Sequence, residues 1–439
     1  MFDILFKNIY VVTPDEACPV IKNAFVGIKD GLIDYVSGEC PQEDAKRVID
    51  GKNKLLMPGF VNIHTHAAMS IMRGYADDYS LQTWLNDYVF PAEANLDDEC
   101  VYIGSQLAFA EMIRTGTISV SDMYMFIPSV AKAAYEAGIY ANITNAALVI
   151  NADGYVFEKD NPYIQMEEMR RDWHNIDNGR IKLDAGVHAE YTSFESVWKD
   201  YSAYAKQHDL NMQLHLSETK FEHEQCILKY GKTPSEILCD AGVFDTRATA
   251  AHCVWLSDND MTILREKGVT VAHNPISNLK LASGIARVND MLNRGVRVGL
   301  GTDGVCSNNS HDMFEEMKMC ALLQKGTTLD PKTINACKAL ELATINGAYA
   351  QGREGYLGQI KVGYDASLIV LDLDTPLLTP VHNALSTAVY SSSGRDVCMT
   401  IVRGKVLYEN GDYKTLDIEK IKHRLYSYAI PRVFGKNII

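Results

Sequence analysis

Over about the first 57 positions, apolar and polar residues alternate in short runs such as Ile4 to Val12 and Ala24 to Val36. Turn-forming residues, Thr13-Pro14-Asp15 and Asp30-Gly31, break them up. A strand exposes every second side chain, so this period of two predicts half-exposed antiparallel strands. The same texture returns in Ala366–Leu371 and Cys398–Val402, with a turn at Arg403-Gly404-Lys405. One small β domain built from both chain ends, residues 1–57 and 362–415, accounts for both stretches, with a helical tail over 416–439.

Between them, over 58–361, the rhythm changes. Short apolar runs alternate with longer stretches of helical period: Gly59 to His64, Thr117 to Asp122, Ile139 to Ala146, Ile181 to His188, Asn211 to Leu216, Thr249 to Cys253, Val269 to His273 and Val296 to Leu300. Strands that alternate with helices pair in parallel, and eight such units predict an α/β fold, the (β/α)8 TIM barrel. No internal repeat or low-complexity tract interrupts the series.

Composition narrows the setting. With 47% hydrophobic and 22% charged residues, the 439-residue chain has ordinary globular material. A formal charge of −14 lacks the basic footprint that nucleic acids or anionic membranes require. No apolar stretch approaches the roughly 18 residues of a membrane span. Ten cysteines occur singly, without a Cys-x-x-Cys pair, as in a reducing compartment. The expectation is a cytoplasmic enzyme for a small molecule, with monomer and homo-oligomer both open.

The chemistry concentrates at the C-terminal ends of the predicted strands, where barrel active sites lie. His64-Thr65-His66 closes the first, and alternate residues aim two imidazoles to one side. His188 ends the fourth strand, His215 the fifth with Glu218 just beyond, His252 the sixth and Asp303 the eighth. Singly, each reads as well as a satisfied structural histidine or a turn aspartate; together they predict a site on one rim. His64, His66, His215 and Asp303 supply nitrogen and oxygen ligands with a position left for water, the arrangement of catalytic zinc. Iron(II) suits the same donors.

Other matches carry less. Gly299-x-Gly301-x-x-Gly304 spells a dinucleotide fingerprint, but it ends a last strand instead of opening a first βαβ unit. His188-Ala189-Glu190 matches half of a cytidine-deaminase signature whose Pro-Cys-x-x-Cys half is missing. His174, His208, His223, His311, His382 and His423 read as solvated or structural, while His273, before Asn274-Pro275, stays open.

PGFVNIHTHAAMSIMRG (58–74), LHLSE (214–218), AHCVWL (251–256), AHNPISNLKLASG (272–284) and GTDGVCSNNSHDMFEE (301–316) together resemble the amidohydrolase superfamily, in its 5'-methylthioadenosine/S-adenosylhomocysteine deaminase branch. The likeness runs from near residue 4 to past residue 410. It implies a barrel with a β-sandwich from both termini, one zinc on His64, His66, His215 and Asp303, and hydrolytic loss of the 6-amino group of an adenine nucleoside. By the same resemblance Glu218 is the acid–base group, His252 orients the attack, and Asp303 moves a proton. His188 meets the purine, Glu93 the ribose diol, and Trp84 with Leu85 covers the pocket. Residues 141–169 depart from the pattern: they hold no arginine, and Lys159 is their only basic side chain. An unpaired carboxylate in a pocket is costly. The expectation is therefore 5'-methylthioadenosine, 5'-deoxyadenosine or adenosine ahead of S-adenosylhomocysteine. The rival is another amino- or chloro-substituted heterocycle, a triazine, purine base or pterin.

Overall fold

The computed structural model describes residues 1–15, 17 and 19–435. The chain forms two compact units, one of Met1–Asn62, Ala110–Ser119 and Asp312–Leu416, the other of Ile63–Phe109, Val120–His311 and the chain from Asp417.

In the first unit both chain ends enter one nine-stranded sheet. Phe2–Val12 pairs antiparallel with Val20–Lys29 and parallel with Ala45–Asp50 and Lys54–Pro58. Lys54–Pro58 then pairs antiparallel with Leu368–Asp372, which leads through Val397–Val402 and Lys405–Glu409 to Asp412–Tyr413. Alternate residues of these strands supply one core. Ile4 and Phe6, Val26 and Ile28, Leu368 and Val370, Met399 and Ile401 join a single apolar cluster. Burial of each such side chain contributes roughly 1.5–3 kcal/mol, which holds the distant chain ends together. Helices Met313–Thr328, Ala336–Ala343 and Ile345–Ala350 also belong to this unit.

Eight strand positions alternate with helices along the middle of the chain. β1 (Phe60–Thr65), β2 (Thr117–Met123), β3 (Tyr140–Thr144) and the first part of β4 (Ile181–Leu183) form one sheet in that order. The second part of β4 (Ala185–Gly186), β5 (Met212–Leu216), β6 (Ala248–His252), β7 (Thr270–His273) and β8 (Arg297–Leu300) form the other. Pairing from β3 through β8 is parallel throughout.

Asp184 divides β4 into its two parts. Its N–H donates to Ile143 of β3, while the next N–H, of Ala185, donates to Asn211 beside β5. The Asp184 carboxylate accepts from Asn142 and Gln213, both at 2.9 Å, so a buried polar knot joins the sheets there. At the other edge Asp303 N–H donates to the carbonyl of His64 at 3.0 Å.

Strands covered on both faces read as continuous apolar runs, and β5, β6 and β7 are buried at every residue. Capping boxes open the helices after β5 and β6: Thr219 with Glu222, Thr233 with Glu236, Ser257 with Asp260. These stop the strands abruptly and leave their polar last residues on the rim. Past Asp417 the chain is helical over Ile418–Arg424 and Ile430–Phe434; positions 436–439 of the expected tail lie outside the described residues. No helix among the described residues is long and apolar enough to cross a membrane.

Candidate metal centre and active site

The strand ends bring the sequence-marked residues to one place. Nε2 of His66 lies 3.2 Å and Nε2 of His64 3.4 Å from Oδ1 of Asp303. Nε2 of His215 lies 3.4 Å from Nε2 of His66. His64, His66 and His215 hold one ligand atom each within 4.8 Å of one another, as do His64, His252 and Asp303.

Backbone contacts fix which nitrogen faces inward. Nδ1 of His66 lies 2.6 Å from the carbonyl of Met123, and Nδ1 of His215 lies 2.7 Å from that of His188. A carbonyl only accepts, so both Nδ1 atoms carry the hydrogen and both Nε2 atoms present lone pairs. Two lone pairs 3.4 Å apart in a buried site repel unless a proton or a cation lies between them. The donor set therefore fits a metal ion.

The electrostatics agree. Burial lowers an imidazole's pKa, and His64 falls to about 4 and His188 to about 3 on that account. His66 is also buried, yet its hydrogen bond to Asp303 and that carboxylate's charge lift it to about 9. Burial opposes ionisation of Asp303, but the hydrogen bonds from His64 and His66 hold its carboxyl well below the usual range. One negative charge thus supports one protonated imidazole; a divalent cation on the same atoms displaces that proton.

Asp303 is aimed from its far side. Ser277 and Ser307 hydroxyls donate to Oδ2 at 2.6 and 2.7 Å, which turns Oδ1 toward the histidines. Its backbone adopts φ 60°, and His252 does so at 71°, left-handed conformations that cost L-residues energy and collect at functional sites. The flanking glycines serve this approach. A Cβ on Gly301 meets Asn274 Oδ1 at 2.4 Å and the His64 carbonyl at 2.9 Å, and one on Gly304 meets Met69 Sδ at 2.7 Å. Gly301 and Gly304 of the Gly-x-Gly-x-x-Gly match thus answer a steric demand of this rim.

Glu218 and His252 stand beside the cluster, with 3.8 Å between Oε2 and Nε2. Ser283 donates to Glu218 Oε1 at 3.0 Å, and His252 Nδ1 donates to Asn278 Oδ1 at 2.9 Å. Burial raises the Glu218 pKa, so its carboxyl holds a proton more readily than an exposed glutamate and can pass it on. His66, His215, Glu218, His252 and Asp303 line a cavity of about 420 Å³. Trp84, Leu85, Glu93 and His188 line it too, while His64 lies outside the lining, against Asp303. Glu93, raised by burial, accepts from Tyr124 at 2.7 Å, and His188 Nδ1 lies 3.0 Å from Thr192 Oγ1. His273 is buried next to these groups, its pKa lowered to about 3 by desolvation, and does not line the cavity.

Sequence reasoning passed over Ser277, Ser307, Asn278, Ser283 and Tyr124. Serines and asparagines are common in loops, and only the approach of distant segments gives these their tasks. The available signal was that Ser277, Asn278 and Ser283 fall within the 272–284 motif.

Fold and site define a class: an α/β protein with metal-binding side chains gathered at strand ends over a substrate-sized cavity. Residues 55–407 match the amidohydrolase family, and residues 3–51 match a BsNagA composite domain. A 5-methylthioadenosine/S-adenosylhomocysteine deaminase of Acetivibrio thermocellus is 44% identical over 430 residues, 97% of this chain and 99% of its own. A 5'-deoxyadenosine deaminase of Methanosarcina mazei is 45% identical over 422 residues, 96% of each chain. The crystal structure of an adenosine deaminase from Xanthomonas campestris with bound zinc is similar at a TM-score of 0.92 and 30% identity, covering 98% of both chains. The chain belongs to the amidohydrolase family, whose members are metal-dependent.

Proposed function

We propose that this chain is a hydrolytic deaminase that exchanges the 6-amino group of an adenine nucleoside for oxygen, releasing ammonia and the inosine analogue. The observation that carries the reading is the convergence of His64, His66, His215 and Asp303 beside Glu218 and His252 at a nucleoside-sized cavity that all but His64 line. The relatives named as deaminases of 5'-methylthioadenosine, S-adenosylhomocysteine, 5'-deoxyadenosine and adenosine support it. So does the order of the two sheets, which we take to close as a (β/α)8 barrel between Asp303 and His64, as does the terminal sheet, which we take as the β-sandwich of the chain ends.

His64, His66, His215 and Asp303 hold the cation, which we assign as zinc, with iron(II) the other ion these donors accept. When bound, the metal supplies the Lewis-acid charge that brings the pKa of water from 15.7 to about 7. Asp303 takes the water's proton at Oδ1 while Ser277 and Ser307 keep that oxygen turned inward. Glu218, raised by burial, delivers a proton to the ring nitrogen next to C6. His252 Nε2 orients the attack, since Nδ1 is committed to Asn278. His188 meets the purine, Glu93 accepts from the ribose diol, and Trp84 covers the base.

The cavity lining includes no lysine or arginine among the described residues, and Asp160 contributes a carboxylate. An S-adenosylhomocysteine carboxylate has no cationic partner there, so neutral 5'-substituents are favoured. Initial rates on adenosine, 5'-deoxyadenosine, 5'-methylthioadenosine and S-adenosylhomocysteine, read at the adenine-to-hypoxanthine absorbance change, test both points. No turnover of any of the four by metal-loaded protein refutes the reaction; a preference for S-adenosylhomocysteine refutes the selectivity.

A further inference from the structure

Behind Glu218 lies a pair of acids that the reaction above does not use. Glu190 follows β4 two residues after His188, and Glu222 is the acid of the capping box that Thr219 opens on helix Lys220–Tyr230. They are 2% and 6% exposed. Glu222 Oε2 accepts the backbone N–H of Glu218 at 2.8 Å and that of Thr219 at 3.3 Å. Its Oε1 and both carboxylate oxygens of Glu190 have no donor. Yet Glu190 and Glu222 line one small cavity together, and the charge of Glu222 acts on Glu190. Two carboxylates so placed must share a proton, because a buried charge without a partner is too costly.

We propose that Glu222 is the positioning residue of Glu218, and that Glu190 keeps it in place by remaining protonated and donating to Glu222 Oε1. The pair then carries one charge, which the two backbone N–H groups of the 218–219 turn receive. Glu218 reaches the ring nitrogen only while that turn is held, so the inference rests on the deaminase reading. Burial and the charge of Glu222 drive Glu190 well above its ordinary pKa, and burial with the charge of Glu218 brings Glu222 to about 7. Around the pair stand Glu218 and His252 from the rim, Tyr191 on the Glu190 loop, and Cys226 and Lys229 on the capped helix. Lys229, the one cation among them, is exposed and lies over the Tyr230 ring.

Three variants of the metal-loaded protein test it. Glu222→Ala removes the acceptor and lowers kcat on the order of 10- to 100-fold, with KM and metal content near wild type, and Glu222→Gln, whose amide oxygen still accepts, restores part of the loss. Glu190→Gln donates permanently, so the alkaline limb of kcat moves upward in pH. A readout without turnover accompanies these. Because the folded pKa of Glu190 is raised, its contribution to stability is full below about pH 4.5 and declines as pH rises toward that folded value. Glu190→Gln therefore flattens Tm against pH on the alkaline side. A wild-type kcat in Glu222→Ala, or kcat and Tm profiles of Glu190→Gln that superimpose on wild type, overturns the proposal. If no nucleoside is turned over but the Tm profile flattens, the acid pair stands and the deaminase reading falls.

Discussion

The terminal sheet and the rim of the parallel strands are both buried β-structure, and they treat polar residues in opposite ways. In the sheet, strands from both chain ends bury apolar side chains, and the core cluster is wholly apolar. At the rim, His64, His215, Glu218, His252 and Asp303 are each no more than 7% exposed. Backbone strain divides the same way. Left-handed residues in the first strands and their turns include Asn8, Asn23, Asp30 and Asn53, types whose short polar side chains tolerate that region. At the rim they include Ser217, His252, Cys253 and Asp303. The sheet confines its strain to turns and bulges and keeps its core cluster free of charge, and so only holds; the rim places both on its reactive side chains and so can react.

That contrast can be broken most severely at Glu218. Glu218→Gln should cut kcat on the order of 10²- to 10⁴-fold while metal content and nucleoside affinity stay near wild type, by steady-state kinetics with metal analysis and calorimetry. The reverse pattern is expected in the sheet. Phe6→Ala empties a fully buried site and should cost about 3–5 kcal/mol in denaturant unfolding, with kcat/KM of the folded fraction unchanged. A loss of specific activity there contradicts the division. Ser307→Ala lies between these, since it frees one side of Asp303. Activity or metal affinity should fall on the order of 10- to 100-fold, as titration against a chelator can show.

The last prediction concerns protons. His66 without metal is raised to about 9, above its usual 6.5, so its stabilising proton is fully present below about pH 6.5 and lost as pH rises through about 9. A metal ion must displace that proton. Apparent metal affinity should therefore rise by about tenfold per pH unit up to roughly pH 9, and the metal-free protein alone should lose stability across that window. A pH-independent affinity excludes His66 from the ligands.

Much of this division was legible in the sequence. The period of two marked strands on both sides of the middle segment, and apolar runs ending in histidine or aspartate marked the rim. The pairing partners were less so. Ala45–Asp50 is exposed at most positions and has little apolar alternation to read. Ile181 to His188 reads as one strand, but Asp184 interrupts it, because Asn142 and Gln213 gather on its carboxylate only in three dimensions. Ser277 and Ser307 escaped for the same reason: their role depends on where Asp303 turns, and that is set by a left-handed backbone between two glycines.

The partners that orient His66 and His215 are main-chain carbonyls, of Met123 and His188. No single substitution deletes a carbonyl. The aim of these two imidazoles is therefore written in strand register instead of in any side chain, which makes it tolerant of point mutation at positions 123 and 188. It is correspondingly exposed to insertion or deletion within β2 or β4, where a shift of one residue presents each ring with an N–H in place of an acceptor.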